Sequence, residues 1–230
     1  MVSFTLSRLL AAAPRMRRLR SGLLAAFACA LLIAASGDAH AAAGATQILD
    51  ASALHPPPGA RVAIVEFDDL QCPACAHANP TLKAAAAKYK IPWIRHDLLI
   101  PSHTWSRNAA IRARWFDAKS AALGAEYRDQ VFANQTYIYN LMMLNDFTEK
   151  FAQSHGVALP FAIDPEGKLA AEVDADNELG KRTGVTLTPT VFVVTANSKG
   201  APFIEVGNPE QQLYQVIDQA LADTAASAHK

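Results

Sequence analysis

The apolar positions of this chain fall into blocks of two kinds. Arg61 to Phe67 (Arg-Val-Ala-Ile-Val-Glu-Phe) is a short, β-branched run that is apolar throughout rather than alternating. That pattern predicts a strand buried on both faces, ended by Asp68 and Asp69. Ile91 to Ile100, Thr190 to Thr195 and Phe203 to Val206 are further strand candidates. Other blocks follow helical spacing. Cys72 to Lys90 predicts a helix with Pro73 in its first turn, where a missing N–H costs nothing, and Pro80 should kink it. From His103 to about His155 the pattern is helical throughout. Ala109, Ala110, Ala113, Trp115 and Phe116 stripe one segment, Val131 and Phe132 a second, Phe147 and Phe151 a third, and Gly156 is the expected stop. Asp164-Pro165-Glu166 reads as a cap with proline at the first helical position, opening a helix that ends near Gly184. Leu213 to Leu221 is the final helix. The predicted order is strand, helix, strand, a long helical block, strand, strand, helix. This is an α/β sheet with a helical insertion at about residues 103–160.

The first forty residues are a different kind of sequence. Arg15, Arg17, Arg18 and Arg20 precede the apolar run Leu23 to Ala35, and Ala39-His40-Ala41 fits a small-x-small cleavage site. Residues 1–41 therefore read as a cleaved signal peptide. The competing reading is an uncleaved membrane anchor, but a run of that length spans only ~20 Å as a helix against ~30 Å of hydrocarbon. Cys29 lies inside the apolar core of this leader behind a poor lipobox, and reads as a small apolar residue that is discarded. Residues 42–60, Ala-rich and then Pro56-Pro57-Pro58-Gly59, read as a stiff, extended lead-in. The domain proper is expected over 61–228.

Composition narrows the class. The chain has 230 residues, 51% hydrophobic and 18% charged, with a net charge of zero. That is an ordinary globular balance, and it gives no electrostatic argument for nucleic acid or an anionic membrane. Removing the leader takes five arginines and one aspartate from 21 basic and 21 acidic residues, leaving 16 and 20, a net charge of −4. It also leaves two of the three cysteines, Cys72 and Cys75, both in one motif.

Cys72-Pro73-Ala74-Cys75 places two thiols at the start of a predicted helix. Free N–H groups and the positive dipole end favour a thiolate there. Cys72 is expected as the exposed nucleophile and Cys75, one turn inward, as the buried partner that resolves a mixed disulfide. Export to an oxidising compartment would let such a pair cycle. Two other readings compete. A structural disulfide would close only a tiny loop and gain little. A metal site using Cys72, Cys75 and His77, with His103 or His55, lacks the second ligand pair that zinc motifs carry.

Val65-Glu66-Phe67-Asp68-Asp69-Leu70-Gln71-Cys72-Pro73-Ala74-Cys75 resembles the active-site strand and helix start of the DsbA-like thiol-disulfide oxidoreductases, which have a thioredoxin fold. Gly184-Val185-Thr186-Leu187-Thr188-Pro189-Thr190-Val191-Phe192-Val193 resembles their second signature, a cis-proline loop facing the cysteines. The helical block matches the insertion that separates this family from plain thioredoxin, and the resemblance covers roughly residues 60–225. It implies that Cys72 attacks, Cys75 resolves, Pro189 is the cis-proline and the backbone of Thr188 binds a substrate strand beside Pro73 and Ala74. Glu66 falls where the family has a buried acid, which would shuttle the proton of Cys75. The alternative for Glu66 is an edge residue facing water. The resemblance further implies thiol-bearing or unfolded exported substrates, and a membrane oxidase of the DsbB or vitamin K epoxide reductase type as partner. The signal-like leader sets the expected location as periplasmic or secreted, and no cofactor is expected.

Departures qualify the match. Ala74 stands where the strongest oxidases carry histidine, which predicts a weaker oxidant. Leu187 replaces a small glycine and is expected to narrow the cleft. Only about twenty residues precede the first strand of the mature chain, which argues for a monomer rather than a dimeric isomerase. Disulfide introduction is the leading expectation. A periplasmic reductase or isomerase is the alternative, and a copper-handling thioredoxin-like module is an alternative of another class. His77 reads as a surface histidine. Ser102, His103 and Asp97 have the letters of a hydrolase triad without its nucleophile elbow. Trp105, Trp115, Phe116, Tyr137 and Tyr139 read as core and rim of the helical block, and Lys181-Arg182 as a solvated helix end.

Overall fold

The computed structural model describes residues 46–196 and 202–227. The leader, Cys29 and the start of the lead-in lie outside the described residues. The elements are β1 (Val62–Asp68), α1 (Pro73–Tyr89), β2 (Trp93–Asp97), α2 (Ser106–Asp117), α3 (Ala121–Ala133), α4 (Leu141–Ser154), α5 (Lys168–Thr183), β3 (Thr190–Thr195), β4 (Phe203–Glu205) and α6 (Pro209–Ser227). None of these helices is long and apolar enough to cross a membrane.

The strands form one sheet in the order β2-β1-β3-β4. β1 pairs parallel to β2 across the α1 crossover and antiparallel to β3, which pairs antiparallel to β4. β1 is thus central, and all seven of its residues are buried. Side chains alternate along a strand, so this apolar run supplies both faces at once. Val62 and Ile64, with Val191 and Val193, pack under Ala78, Leu82 and Ala85 of α1 and Leu213 and Ile217 of α6. Ala63, Val65 and Phe67, with Phe192 and Val194, pack on the opposite side with Leu54, Leu98 and Val185.

The insertion folds as three helices, matching its three striped segments, with breaks at 118–120 and 134–140. Ser120 and Asn140 restart the chain as N-caps, their side chains accepting from the Leu123 and Met143 N–H groups. Trp105, Phe116, Tyr127, Leu144 and Phe151 build a separate core that includes Leu70, Cys72 and Cys75. Arg114 fastens this insertion to the sheet, donating from Nη2 to Asp97 at the end of β2 at 2.6 Å and to Asp176 of α5 at 2.5 Å.

Two local expectations need correction. Pro56-Pro57-Pro58-Gly59 does not simply extend: Ala60 N–H donates to the Pro57 carbonyl at 3.0 Å, closing a turn with Pro58 and Gly59 at its centre. Gly59 sits at φ 86°, the left-handed position that a type II turn assigns to glycine. The lead-in is also held down, because Leu54 is buried and Thr46 donates from its N–H and hydroxyl to the Glu205 carboxylate at 2.7 and 2.8 Å. α5 begins at Lys168, not at Pro165. Asp164 still caps it, accepting from the N–H groups of Leu169 and Ala170, but it does so from a preceding turn through Gly167 at φ 69°.

Candidate active site

Cys72 occupies the N-cap of α1 in extended backbone, with Pro73 locked at the first helical position and the Ala76 N–H donating to the Cys72 carbonyl at 3.2 Å. Asp69 shapes the approach. Its carboxylate accepts from the Gln71 N–H at 2.7 Å and the Ile100 N–H at 2.9 Å, and its carbonyl accepts from the Cys72 N–H. From the other side, Gln135 donates its amide to the carbonyls of Leu70 and Cys72 at 2.9 and 3.1 Å. The Thr188–Pro189 peptide bond is cis, and the thiol of Cys72 donates to the Thr188 carbonyl at 3.3 Å. The structure thus brings together Cys72, Pro73, Ala74, Cys75, Thr188 and Pro189.

The two thiols are unlike. Cys75 is fully buried and Cys72 retains only 7% exposure, so the expected exposed sulfur is nearly covered by its own loop and the Thr188 loop. The Cys72 pKa falls to about 6. The hydrogen bond from the Cys75 thiol does most of this, against the cost of burial, with the Thr188 hydroxyl, rather than its carbonyl, and the N–H groups of Cys75 and Ala74 acting in the same direction. The Thr188 hydroxyl is buried with no hydrogen-bond partner in the dithiol form. Burial pushes the Cys75 thiol far up, and the proton it shares with Cys72 pushes it further.

Glu66 is wholly buried in the central strand, so the reading of a water-facing edge residue does not hold. Its Oε2 accepts from Trp93 Nε1 at 2.9 Å, while Oε1 has no partner. Burial raises its pKa to about 8, helped by the charge of Asp68 and opposed by Arg95. Arg95 lies 3.7 Å from Glu66 but gives both Nε, at 2.9 Å, and Nη2 to Asp68. Asp68 thus takes the cation that Glu66 would otherwise have. Neither Asp68, Arg95, Asp69 nor Gln135 was singled out from sequence. Asp68 and Glu66 are two apart, and because β1 runs through Asp68, one residue past the predicted strand, both fall on one face. Gln135, one of several amides between 130 and 140, gave no signal.

The residues of the metal reading do not converge. His77 faces Glu210 at 3.8 Å, His103 faces Asp69 at 3.0 Å and His55 contacts the Pro56 carbonyl. No group of three His, Cys, Asp or Glu able to hold a metal occurs among the described residues. Asp97, from the triad letters, is held by Arg114. Leu187 stands 71% exposed beside the cis-proline.

The family model described as thioredoxin matches residues 57–202. No curated protein sequence matches the chain at a significant level. Among solved structures, α-DsbA1 of Wolbachia pipientis superposes with a TM-score of 0.62 at 15% identity, covering 76% of this chain and 92% of its own. BdbD of Bacillus subtilis, in its oxidised form, gives 0.58 at 17% identity over 78% and 96%. The thiol-disulfide exchange protein α-DsbA2 of Wolbachia pipientis gives 0.56 at 16% identity over 72% and 84%. At these identities the likeness is one of fold, and it includes the helical insertion. The chain belongs to the thioredoxin family, and its fold is that of the DsbA-like members.

Proposed function

We propose that this protein is an exported thiol-disulfide oxidoreductase that introduces disulfides into other exported proteins. The observation that carries the reading is the split between Cys72, whose thiolate is favoured at neutral pH, and Cys75, which keeps its proton. A favoured Cys72 thiolate stabilises the reduced pair and makes its disulfide oxidising. In the proposed cycle a substrate thiolate attacks Cys72 Sγ of the Cys72–Cys75 disulfide. The bond between the two sulfurs breaks, and the leaving Cys75 thiolate takes a proton, which the protonated Glu66 carboxyl would supply; the two groups are close enough for the Glu66 charge to push the Cys75 thiol up. A second substrate thiolate then attacks the substrate sulfur of the mixed disulfide and releases the Cys72 thiolate. The substrate loses two electrons and the cysteine pair gains them. A membrane oxidase of the DsbB or vitamin K epoxide reductase type would remove them again.

Tyr137, Tyr139, Leu141 and Met142 are exposed on and just beyond the connection that carries Gln135, and Leu187 is exposed beside Thr188. These exposed apolar side chains suit an unfolded substrate. The export part of the reading rests on the signal-like pattern at 1–41. The test is the equilibrium reduction potential of the Cys72–Cys75 pair in glutathione buffers. Strong oxidases of this type lie near about −120 mV and reducing thioredoxins near about −270 mV. A value on the oxidising side supports disulfide introduction. A value at the reducing end overturns it and makes the protein an exported reductase.

A further inference from the structure

Between α2, α4 and the connection from α4 to α5 lies an open cavity of about 930 Å³, lined by residues that play no part in the cysteine chemistry. Its apolar wall comes from Ile111, Val157, Leu159 and Ile163, all half-buried, with Phe161 fully exposed at the same connection. Arg112 lines it as well. This guanidinium donates from Nη1 to the Asn108 carbonyl at 2.8 Å and from Nη2 to the Asn145 side-chain oxygen. Both partners are neutral, and no carboxylate among the described residues forms an ion pair with it. Its neighbours differ: Arg107 is paired with Asp174 and Arg114 with Asp97 and Asp176. Of the two carboxylates in the lining, Asp164 is taken by the N–H groups of Leu169 and Ala170, and Glu149 is exposed to water.

A partly buried cation with only neutral partners is an incomplete arrangement, because burial of charge is compensated best by an opposite charge. Arg112 meets that cost without an anion, and burial accordingly lowers its pKa. The cavity is of the size that ordinary small-molecule sites have, ~300–1,000 Å³, and sets its apolar wall against polar groups among which Arg112 is the cation with no acidic partner, Arg107 being paired with Asp174. A planar guanidinium presents paired N–H donors that match a carboxylate. We propose that this cavity binds a small amphiphilic monocarboxylate, its carboxylate on Arg112 and its hydrocarbon chain along Ile111, Val157, Leu159 and Ile163. The site is separate from the cysteine pair and stands whether or not the exchange reading does.

The test is titration of the full protein with decanoate, followed by calorimetry and by amide chemical shifts, with decanol as the uncharged counterpart. Decanoate should saturate one site, perturb residues of α2, α4 and 157–163, and bind at least about tenfold more tightly than decanol. Arg112→Gln should weaken decanoate by about tenfold or more and leave decanol unchanged, and Arg112→Lys should recover part of the loss. Should Arg112→Gln fail to fold, Ile163→Glu supplies the same information by placing a like charge on the apolar wall, and it should abolish decanoate binding. Equal binding of decanoate and decanol, binding unaffected by these substitutions, shifts confined to the Cys72 region, or no saturable binding would each overturn the proposal.

Discussion

Cys72 and Cys75 differ in how readily they lose a proton, and alkylation reads that difference directly. The rate at which iodoacetamide modifies the reduced protein should rise with pH along a single titration centred near 6, with Cys72 as the only site modified. A midpoint near that of an ordinary thiol would show that the Cys75 thiol and Thr188 do not stabilise the thiolate. Ala74 is exposed beside Cys72, so Ala74→His adds an imidazole there without disturbing the core. It should make the disulfide more oxidising, and an unchanged potential would sink that account. Beneath the cysteines, Arg95 is given to Asp68 rather than to Glu66. Asp68→Asn should release Arg95 to Glu66, favour the Glu66 carboxylate, and move the alkaline limb of the exchange rate to lower pH. A profile identical to wild type would mean that Glu66 takes no part in the proton transfer.

Whole elements were read more securely than their ends. β3 lies where its β-branched run predicts, because a central strand is apolar for as long as it is covered on both faces. α5 was placed three residues early, because an Asp-Pro-Glu cap looks the same in sequence whether the helix follows at once or after a turn. Its other end illustrates a different constraint. Gly184 closes α5 at φ 94°, and a Cβ there would stand 2.2 Å from the Gln47 carbonyl oxygen of the lead-in. Gly184→Ala combines left-handed strain with a backbone clash and should destabilise the protein by about 2 kcal/mol or more, seen in chemical denaturation. A midpoint equal to wild type would show that the lead-in shifts freely. The sequence marked Gly184 as a helix stop, but the approach of Gln47, 137 positions earlier in the chain, had no local signal. The same holds for Gln135. Its amide fixes the Cys72 loop from across the insertion, and only the packing of three helices brings it there.

For the molecule as a whole, the cysteine pair ties redox state to stability. The Cys72 pKa is depressed from 9.0 to about 6 in the folded protein. Unfolded chains therefore bind more protons than folded ones between these values, and stability from this group is gained as pH rises from 6 to 9 and lost as it falls. At the top of that window it is on the order of 4 kcal/mol. Oxidised protein has no such group, and Glu66 titrates in both forms, so it largely cancels in the comparison. Reduced protein should therefore unfold at higher denaturant than oxidised protein, with a gap that widens from pH 6 to pH 9. A gap independent of pH would remove the thiolate as its cause. A stable reduced form and an oxidising disulfide are the same free energy viewed from two sides.

The open margin of the sheet carries a further consequence. β4 offers only three residues, and Glu205 at its end is engaged by Thr46 of the lead-in. Sheet margins of this sort are where extended chains stack and seed insoluble assemblies. Under the proposed disulfide-introducing function, unfolded substrates would present such chains to this protein. At the β4 margin the three-residue strand leaves them little backbone to ladder onto, so that on that side substrates would be held by their sulfur and their side chains and then released.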